Sequence, residues 1–226
     1  MRLNGVKIRA VINDVDGVMI NFWDSALPIL TEVACRHSLP MESIYSYLAY
    51  VNDGSGRFQP TLRGALKTIW PNREVRYDSL EQSFRQIEVS RGFVPCEGAK
   101  AALIWMKSRG LKLAVCTTNG NSALKERMRY LDLSLNFFDA LNTADSRLPK
   151  PHKKSLASLL KKLDCSPAES VYVGDWETDY LLAKNAGVPF VAVTSGAFQA
   201  SDFLAMGVPP EYIVPSLAHL ADLFTP

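Results

Sequence analysis

Residues 8–18 read IRAVINDVDGV. Ile8 to Ile12 is a short apolar run rich in β-branched side chains, and it stops at Asn13-Asp14. A run of this kind predicts a strand buried on both faces. Comparable runs follow at Leu111–Cys116, entered through Gly110, at Val171-Tyr172-Val173, and at Phe190–Val193, entered after Gly187-Val188-Pro189. A weaker one lies at Phe138–Asn142. Between them the period changes. Ala99, Ala102, Leu103 and Met106 keep helical spacing, as do Leu156, Leu159, Leu160 and Leu163. Each set gives a helix one apolar stripe for packing on a sheet. Strands alternating with helices predict an α/β fold built on a doubly wound parallel sheet.

The alternation is broken once. About 75 residues separate the first strand from Pro95, far more than an ordinary connection needs. No comparable strand run occurs there. Ala26, Ile29, Leu30 and Val33 keep helical spacing, and so do Leu80, Phe84 and Ile87, with Asp78 or Ser79 as the N-cap. Asn52-Asp53-Gly54-Ser55-Gly56-Arg57 reads as a loop. The expected organisation is a core of residues 1–20 and 93–226 interrupted by a helical module of residues 21–92.

Composition limits the partners. The chain has 226 residues with 25 Lys+Arg against 23 Asp+Glu, a formal charge of +2, which excludes a strongly basic nucleic-acid binder. No apolar run approaches the roughly 20 residues of a membrane span. The start, Met1 to Val11, lacks a signal-peptide layout. Cys35, Cys96, Cys116 and Cys165 form no C-x-x-C pair and read as reduced thiols of a cytoplasmic protein.

In an open α/β sheet, ligands bind beyond the carboxyl ends of the strands. Asp14-Val15-Asp16-Gly17 follows the first strand, Thr117-Thr118-Asn119-Gly120 the second, and Gly174-Asp175 through Asp179 the third. Lys150 lies just before the helix of Leu156 to Leu163. Such a rim has a chemistry. Clustered Asp oxygens suit a hard cation such as Mg²⁺. A carboxylate can attack phosphorus to give an aspartyl-phosphate. Thr hydroxyls and a lysine hold and neutralise the transferring phosphoryl group. Asp16, two residues past Asp14, is placed to serve as general acid and then as general base.

The chain resembles the haloacid dehalogenase superfamily, in its phosphatase branch with an inserted helical cap. Four motifs, in the family's order, carry the resemblance along nearly the whole chain. They are Asp14-Val15-Asp16-Gly17-Val18, the strand ending Cys116-Thr117, Lys150-Pro151, and Gly174-Asp175 through Asp179 with Ala183-Lys184-Asn185-Ala186-Gly187 after it. The resemblance implies a Rossmann-like core, Asp14 as nucleophile and Asp16 as acid/base. It further implies Mg²⁺ held by Asp14, the Asp16 backbone carbonyl and Asp175 with Asp179 in support, and Thr117 and Lys150 on the phosphoryl group. Thr118, Asn119 and Arg57 are added as substrate-binding candidates. There are departures from the pattern. Asn13 stands where an apolar residue is usual, Asn21 where many members have Asp, and Trp176 where a small residue is usual. Lys150-Pro151-His152-Lys153 lacks a second proline.

Plainer readings compete residue by residue. Asp and Gly at a strand end are turn formers. Asp179 in a first helical turn suits the helix dipole. Lys150 sits beside Lys153 and Lys154 as one solvated cluster would. Arg57 is equally an exposed loop arginine, and His37, His152 and His219 read as surface or packing residues. At the level of function, a small phosphorylated metabolite, phosphoglycolate-like, is the expected substrate of a monomer or homodimer. The alternatives are a phosphosugar mutase of the β-phosphoglucomutase type and a non-enzymatic phospho-acceptor domain. The resembling mutases carry a histidine shortly after D-x-D-G that gates the acid/base Asp. The corresponding place here is Ala26.

Overall fold

The computed structural model describes the chain except for residues 4, 53–60, 73, 151, 153 and 226. Arg57 and the loop positions from Asp53 on therefore lie outside the described residues. The chain divides into two compact units, Met1–Phe22 with Val94–Pro226, and Trp23–Phe93.

The larger unit opens with a hairpin of β1 (Arg2–Leu3) and β2 (Val6–Lys7), followed by β3 (Ala10–Asn13) and β4 (Ile20–Asn21). The smaller unit is helical: α1 (Phe22–Arg36), which starts one residue before it, α2 (Glu42–Asn52), α3 (Leu62–Ile69) and α4 (Tyr77–Arg91). Its core joins Ile29, Leu30 and Val33 of α1 to Ile44, Leu66, Ile69, Leu80, Phe84 and Ile87. These are apolar residues at helical spacing, turned inward on each element.

The chain re-enters the larger unit through β5 (Val94–Pro95), then α5 (Ala99–Ser108), β6 (Lys112–Cys116), α6 (Asn121–Tyr130), β7 (Ala140–Asn142) and α7 (Ser155–Leu163). β8 (Ser170–Gly174), α8 (Glu177–Ala186), β9 (Phe190–Val193), α9 (Ala200–Ala205) and β10 (Ile213–Val214) complete it. Six strands form one parallel sheet in the order β10-β9-β8-β3-β6-β7. β3 is flanked by β6 and β8, with Ile12 opposite Ala114 and Tyr172, and all four of its residues are buried. Leu156, Leu159, Leu160 and Leu163 of α7 pack with Ile12, Ala114, Tyr172 and Phe190 in one core cluster. This is the parallel, helix-covered sheet that the alternation predicts.

Boundaries differ from the sequence reading for local reasons. The Ile8 N–H donates to Met1 O at 2.9 Å, closing the hairpin, so the central strand starts at Ala10. Asn13 belongs to the strand and is fully buried. The Leu111 N–H closes the turn after α5 by donating to Met106 O at 3.2 Å. Neither Asp78 nor Ser79 caps α4. The cap position is Arg76, and the Asp78 carboxylate instead takes a hydrogen bond from Arg63, which also pairs with Glu81 at 2.7 Å. Asn52 closes α2 instead of opening a loop. β4 and β5 pair antiparallel, Ile20 with Pro95 and Asn21 with Val94, so the two ends of the long insertion are hydrogen-bonded neighbours.

Candidate active site

The carboxyl ends of β3, β6 and β8, adjacent in the sheet, bring the sequence-predicted residues together. Asp14 extends β3 by one residue, its N–H donating to Val173 O at 2.9 Å. The chain then turns tightly, with Met19 and Ile20 N–H groups both returning to Val15 O at 2.8 and 3.0 Å. Gly17 permits this turn with φ +82°. A Cβ on Gly17 would meet Asp175 Oδ2 at 2.1 Å, and one on Gly196 would meet the same oxygen at 2.0 Å. The Asp175 carboxylate therefore occupies space that two residues without side chains leave open. The Ala197 N–H donates to it at 2.9 Å.

Asp179, in the first turn of α8, is 0% exposed. Its Oδ1 accepts from the Tyr172 hydroxyl at 2.5 Å and pairs with Lys150 Nζ at 2.5 Å, while its Oδ2 has no hydrogen-bond partner. The first turn of α8 suits an acid, but the helix dipole alone does not account for the full burial of Asp179 or its pairing with Lys150. The solvated-cluster reading of Lys150 fails. Lys150 is 7% exposed, and its ammonium reaches Asp14 Oδ2 at 3.1 Å as well as Asp179.

Charge is concentrated here beyond what one ammonium balances. Asp14, Asp175 and Asp179 are buried and can each offer an oxygen within 4.8 Å of the others. Burial pushes the Asp14 carboxyl up to about 7, against the pull of Lys150 and with the help of the Asp179 and Asp16 charges. Burial, with the charges of Asp14 and Asp179, also holds Asp175 well above the usual carboxylate range. Burial by itself would lower Lys150, but Asp14 and Asp179 outweigh it and raise the ammonium further. Cys116, in the wall behind them, is pushed up to about 12 by burial and stays a neutral thiol. Three buried carboxylates with an unpartnered oxygen fit a hard divalent cation, which takes oxygen ligands and relieves their repulsion.

The Asp16 carboxylate turns away from that cluster. Oδ1 accepts from Arg127 Nε at 2.6 Å and Oδ2 from Asn119 Nδ2 at 2.8 Å. Any contribution of Asp16 to a metal would thus come from its main chain, as the family resemblance implies. Thr117 is buried, and its Oγ1 accepts from the N–H and the side-chain amide of Asn119 at 3.2 and 3.1 Å. Thr118 is exposed. Of the three histidines, His37 faces Ser83 Oγ at 2.8 Å and His152 accepts from the Lys154 N–H at 3.0 Å. His219 faces Ser216 Oγ at 3.1 Å, so each has a local polar neighbour.

Arg127 is the residue that sequence reasoning missed. A signal for it existed. Leu124, Met128 and Leu131 are buried at i, i+4 and i+7, and Arg127 sits on that same apolar stripe of α6. A charge on a buried face needs partners, and Asp16 is one of them.

The chain is similar to known proteins along most of its length. The chain is 29% identical over 221 residues to the pyrophosphatase PpaX of Bacillus mycoides, covering 97% of this chain and 98% of that one. It is 28% identical over 201 residues to a phosphoglycolate phosphatase of Caulobacter vibrioides, covering 86% and 81%. A solved subfamily IA hydrolase of the haloacid dehalogenase superfamily, from Geobacter sulfurreducens, superposes with a TM-score of 0.68 at 26% identity, over 98% of this chain and 99% of that one. The profile of the haloacid dehalogenase-like hydrolase family matches residues 11–193, from β3 to the end of β9. With its carboxylate cluster and lysine in that span, the chain belongs to the haloacid dehalogenase-like hydrolases.

Proposed function

We propose that the protein is a Mg²⁺-dependent phosphatase that hydrolyses a small phosphorylated metabolite by way of a phosphorylated Asp14. The observation that carries this reading is the buried Asp14 carboxylate at the end of the central strand, with Lys150 Nζ 3.1 Å away. Phosphoglycolate-like monoesters are the first substrate class, in line with the phosphoglycolate phosphatases among its relatives. Pyrophosphate is the second, in line with the PpaX relatives.

The chemistry assigns each side chain one task. An Asp14 oxygen attacks phosphorus as the bond from phosphorus to the leaving oxygen breaks, and Asp16 gives that oxygen a proton. Water then attacks the phosphorus of phospho-Asp14 while Asp16 takes a proton back, releasing inorganic phosphate and restoring both carboxyl groups. Lys150 and the Thr117 hydroxyl hold the phosphoryl oxygens through both displacements. Asp14, Asp175 and the Asp16 carbonyl would hold Mg²⁺, with Asp179 in support, and the ion would reduce repulsion between the attacking carboxylate and the anionic phosphate. The helical unit Trp23–Phe93 is assigned as the cap that selects the leaving group. A cytoplasmic setting, with Cys35, Cys96, Cys116 and Cys165 as free thiols, belongs to the same proposal.

The test is a panel of phosphoglycolate, pyrophosphate and hexose phosphates assayed with Mg²⁺ and with excess chelator. Release of inorganic phosphate that chelator abolishes is the expected result. With β-glucose 1-phosphate and a trace of the bisphosphate, free phosphate should appear without glucose 6-phosphate accumulating, since Ala26 supplies no gating imidazole. Full turnover in chelator would refute the metal assignment, and faster mutase than phosphatase turnover would replace the phosphatase reading.

The metal assignment has a readout independent of turnover. An acid whose value is raised on folding favours the folded state while it stays protonated. For Asp14 that contribution is complete below its ordinary value of 3.8 and is lost as pH rises through about 7. A cation needs the deprotonated carboxylates, so protons and Mg²⁺ compete. Saturating Mg²⁺ is expected to raise Tm by on the order of 5 °C at about pH 8 and by clearly less at about pH 5.5. An equal rise at both values in a thermal melt would remove Asp14 from the binding set.

A further inference from the structure

We propose that Arg127 is a positioning residue that fixes the Asp16 carboxylate for proton transfer, clamping one of its oxygens while Asn119 holds the other. The inference rests on the phosphatase reading above, because it needs Asp16 to be the proton-transfer group.

Asp16 follows the central strand in a tight turn, where no regular element dictates its rotamer. A proton-transfer group is effective only when its oxygen is held at hydrogen-bonding distance from the reacting atom, and small misplacements cost much of the rate. Both oxygens of Asp16 are engaged, one from within α6 and one from the loop that precedes it. Arg127 Nε donates to Oδ1 at 2.6 Å and Asn119 Nδ2 to Oδ2 at 2.8 Å. The clamp is itself braced. The Arg127 side chain is 3% exposed and its Nη1 donates to Ala123 O, one turn back in α6, at 3.4 Å. The same Asn119 amide nitrogen also donates to Thr117 Oγ1 at 3.1 Å. One chain of contacts, Arg127–Asp16–Asn119–Thr117, therefore ties the proton-transfer carboxylate to the hydroxyl assigned to the phosphate. A guanidinium suits this place better than an ammonium, because its planar fork fixes direction as well as charge. Burying an arginine is expensive unless it is well paired, and a buried pair is weak evidence for stability alone. Its contact with the group assigned to proton transfer points to catalysis.

Leaving-group chemistry separates positioning from mere structural support. An alkyl phosphomonoester expels a strongly basic alkoxide and needs the proton, whereas p-nitrophenyl phosphate expels a stable phenolate and does not. The second-order constant kcat/KM reports only steps up to the first irreversible one, so it isolates the transfer to Asp14. Arg127→Met is expected to lower kcat/KM for an alkyl phosphomonoester by about 100-fold and for p-nitrophenyl phosphate by less than about 5-fold. Arg127→Lys should recover part of the alkyl activity. In an Asp16→Asn background, Arg127→Met should add less than about 2-fold on either substrate, since its effect passes through Asp16.

Equal losses on both substrates, or a full loss added to Asp16→Asn, would overturn the positioning role and leave a structural ion pair. If Arg127→Met does not fold, as judged by its melt, Arg127→Lys decides through the same alkyl-to-aryl ratio: an unchanged ratio overturns the role. A wild-type chain that turns over neither substrate refutes the phosphatase reading instead, and the positioning role falls with it.

Discussion

Asp14→Asn is expected to eliminate phosphate release, by roughly 10⁴-fold or more, while the protein still folds. An amide is a poor nucleophile and a poor metal ligand, so both functions assigned to Asp14 disappear together. The fold tolerates the change because the replaced oxygen belongs to a crowded anionic cluster. Asp175 and Asp179 repel Asp14, and Lys150 keeps its 2.5 Å contact to Asp179 when Asp14 is neutral. Turnover measured beside a thermal melt checks both halves. A variant that folds and retains near-wild-type turnover excludes Asp14 as the nucleophile.

Lys150→Met should damage stability as well as turnover. The ammonium is enclosed, 3.1 Å from Asp14 Oδ2 and 2.5 Å from Asp179 Oδ1, and it is the cation that pairs with both. Removing one partner of a buried pair leaves uncompensated charge, at a cost of about 3–5 kcal/mol. Asp179 suffers most, being fully buried with the Tyr172 hydroxyl as its remaining hydrogen-bond donor among the described residues. Turnover should fall by about 10³-fold, the scale for losing one preorganised charge at a developing anion. Mg²⁺ should restore part of the stability and little of the rate, because an ion would relieve the cluster but would not replace the phosphate contact proposed for Lys150. A melt unchanged from wild type in chelator would show that Lys150 does not balance the buried acids.

Much of this was legible in the sequence, for physical reasons that differ by element. Val11-Ile12 and Val171-Tyr172-Val173 are visible as strands because a parallel sheet covered on both faces demands continuous apolar runs. Two-residue strands carry no period. The hairpin of β1 and β2, the β4–β5 pair and the edge strand β10 could therefore be found only from their partners. At the site, Asp14, Asp175, Asp179 and Lys150 stand in motifs whose spacing is dictated by where strands end. The convergence of Asp14, Asp175 and Asp179 follows from the adjacency of β3 and β8, while Lys150 arrives from the β7–α7 connection on the far side of β6. Arg127 stands in no such motif. Its contact joins positions 111 residues apart, and only its place on an apolar helical stripe marks it. The Asp78 cap failed because the sequence does not show that an arginine from a neighbouring helix competes for the same carboxylate.

The β4–β5 pair bears on how so long an interruption is compatible with the central sheet. The pairing of Ala10 with Lys112 joins positions about a hundred residues apart, and crossing directly from Asn21 to Val94 shortens that path to about thirty. Because closure entropy grows with the logarithm of length, the shortcut lowers the entropic cost of bringing β6 beside β3 by about 1 kcal/mol. Once the two short strands meet, the insertion acts on the sheet as a compact loop, whatever its length. Lengthening the chain inside Trp23–Phe93 thus adds nothing to the path of about thirty residues that runs through the Asn21–Val94 pair.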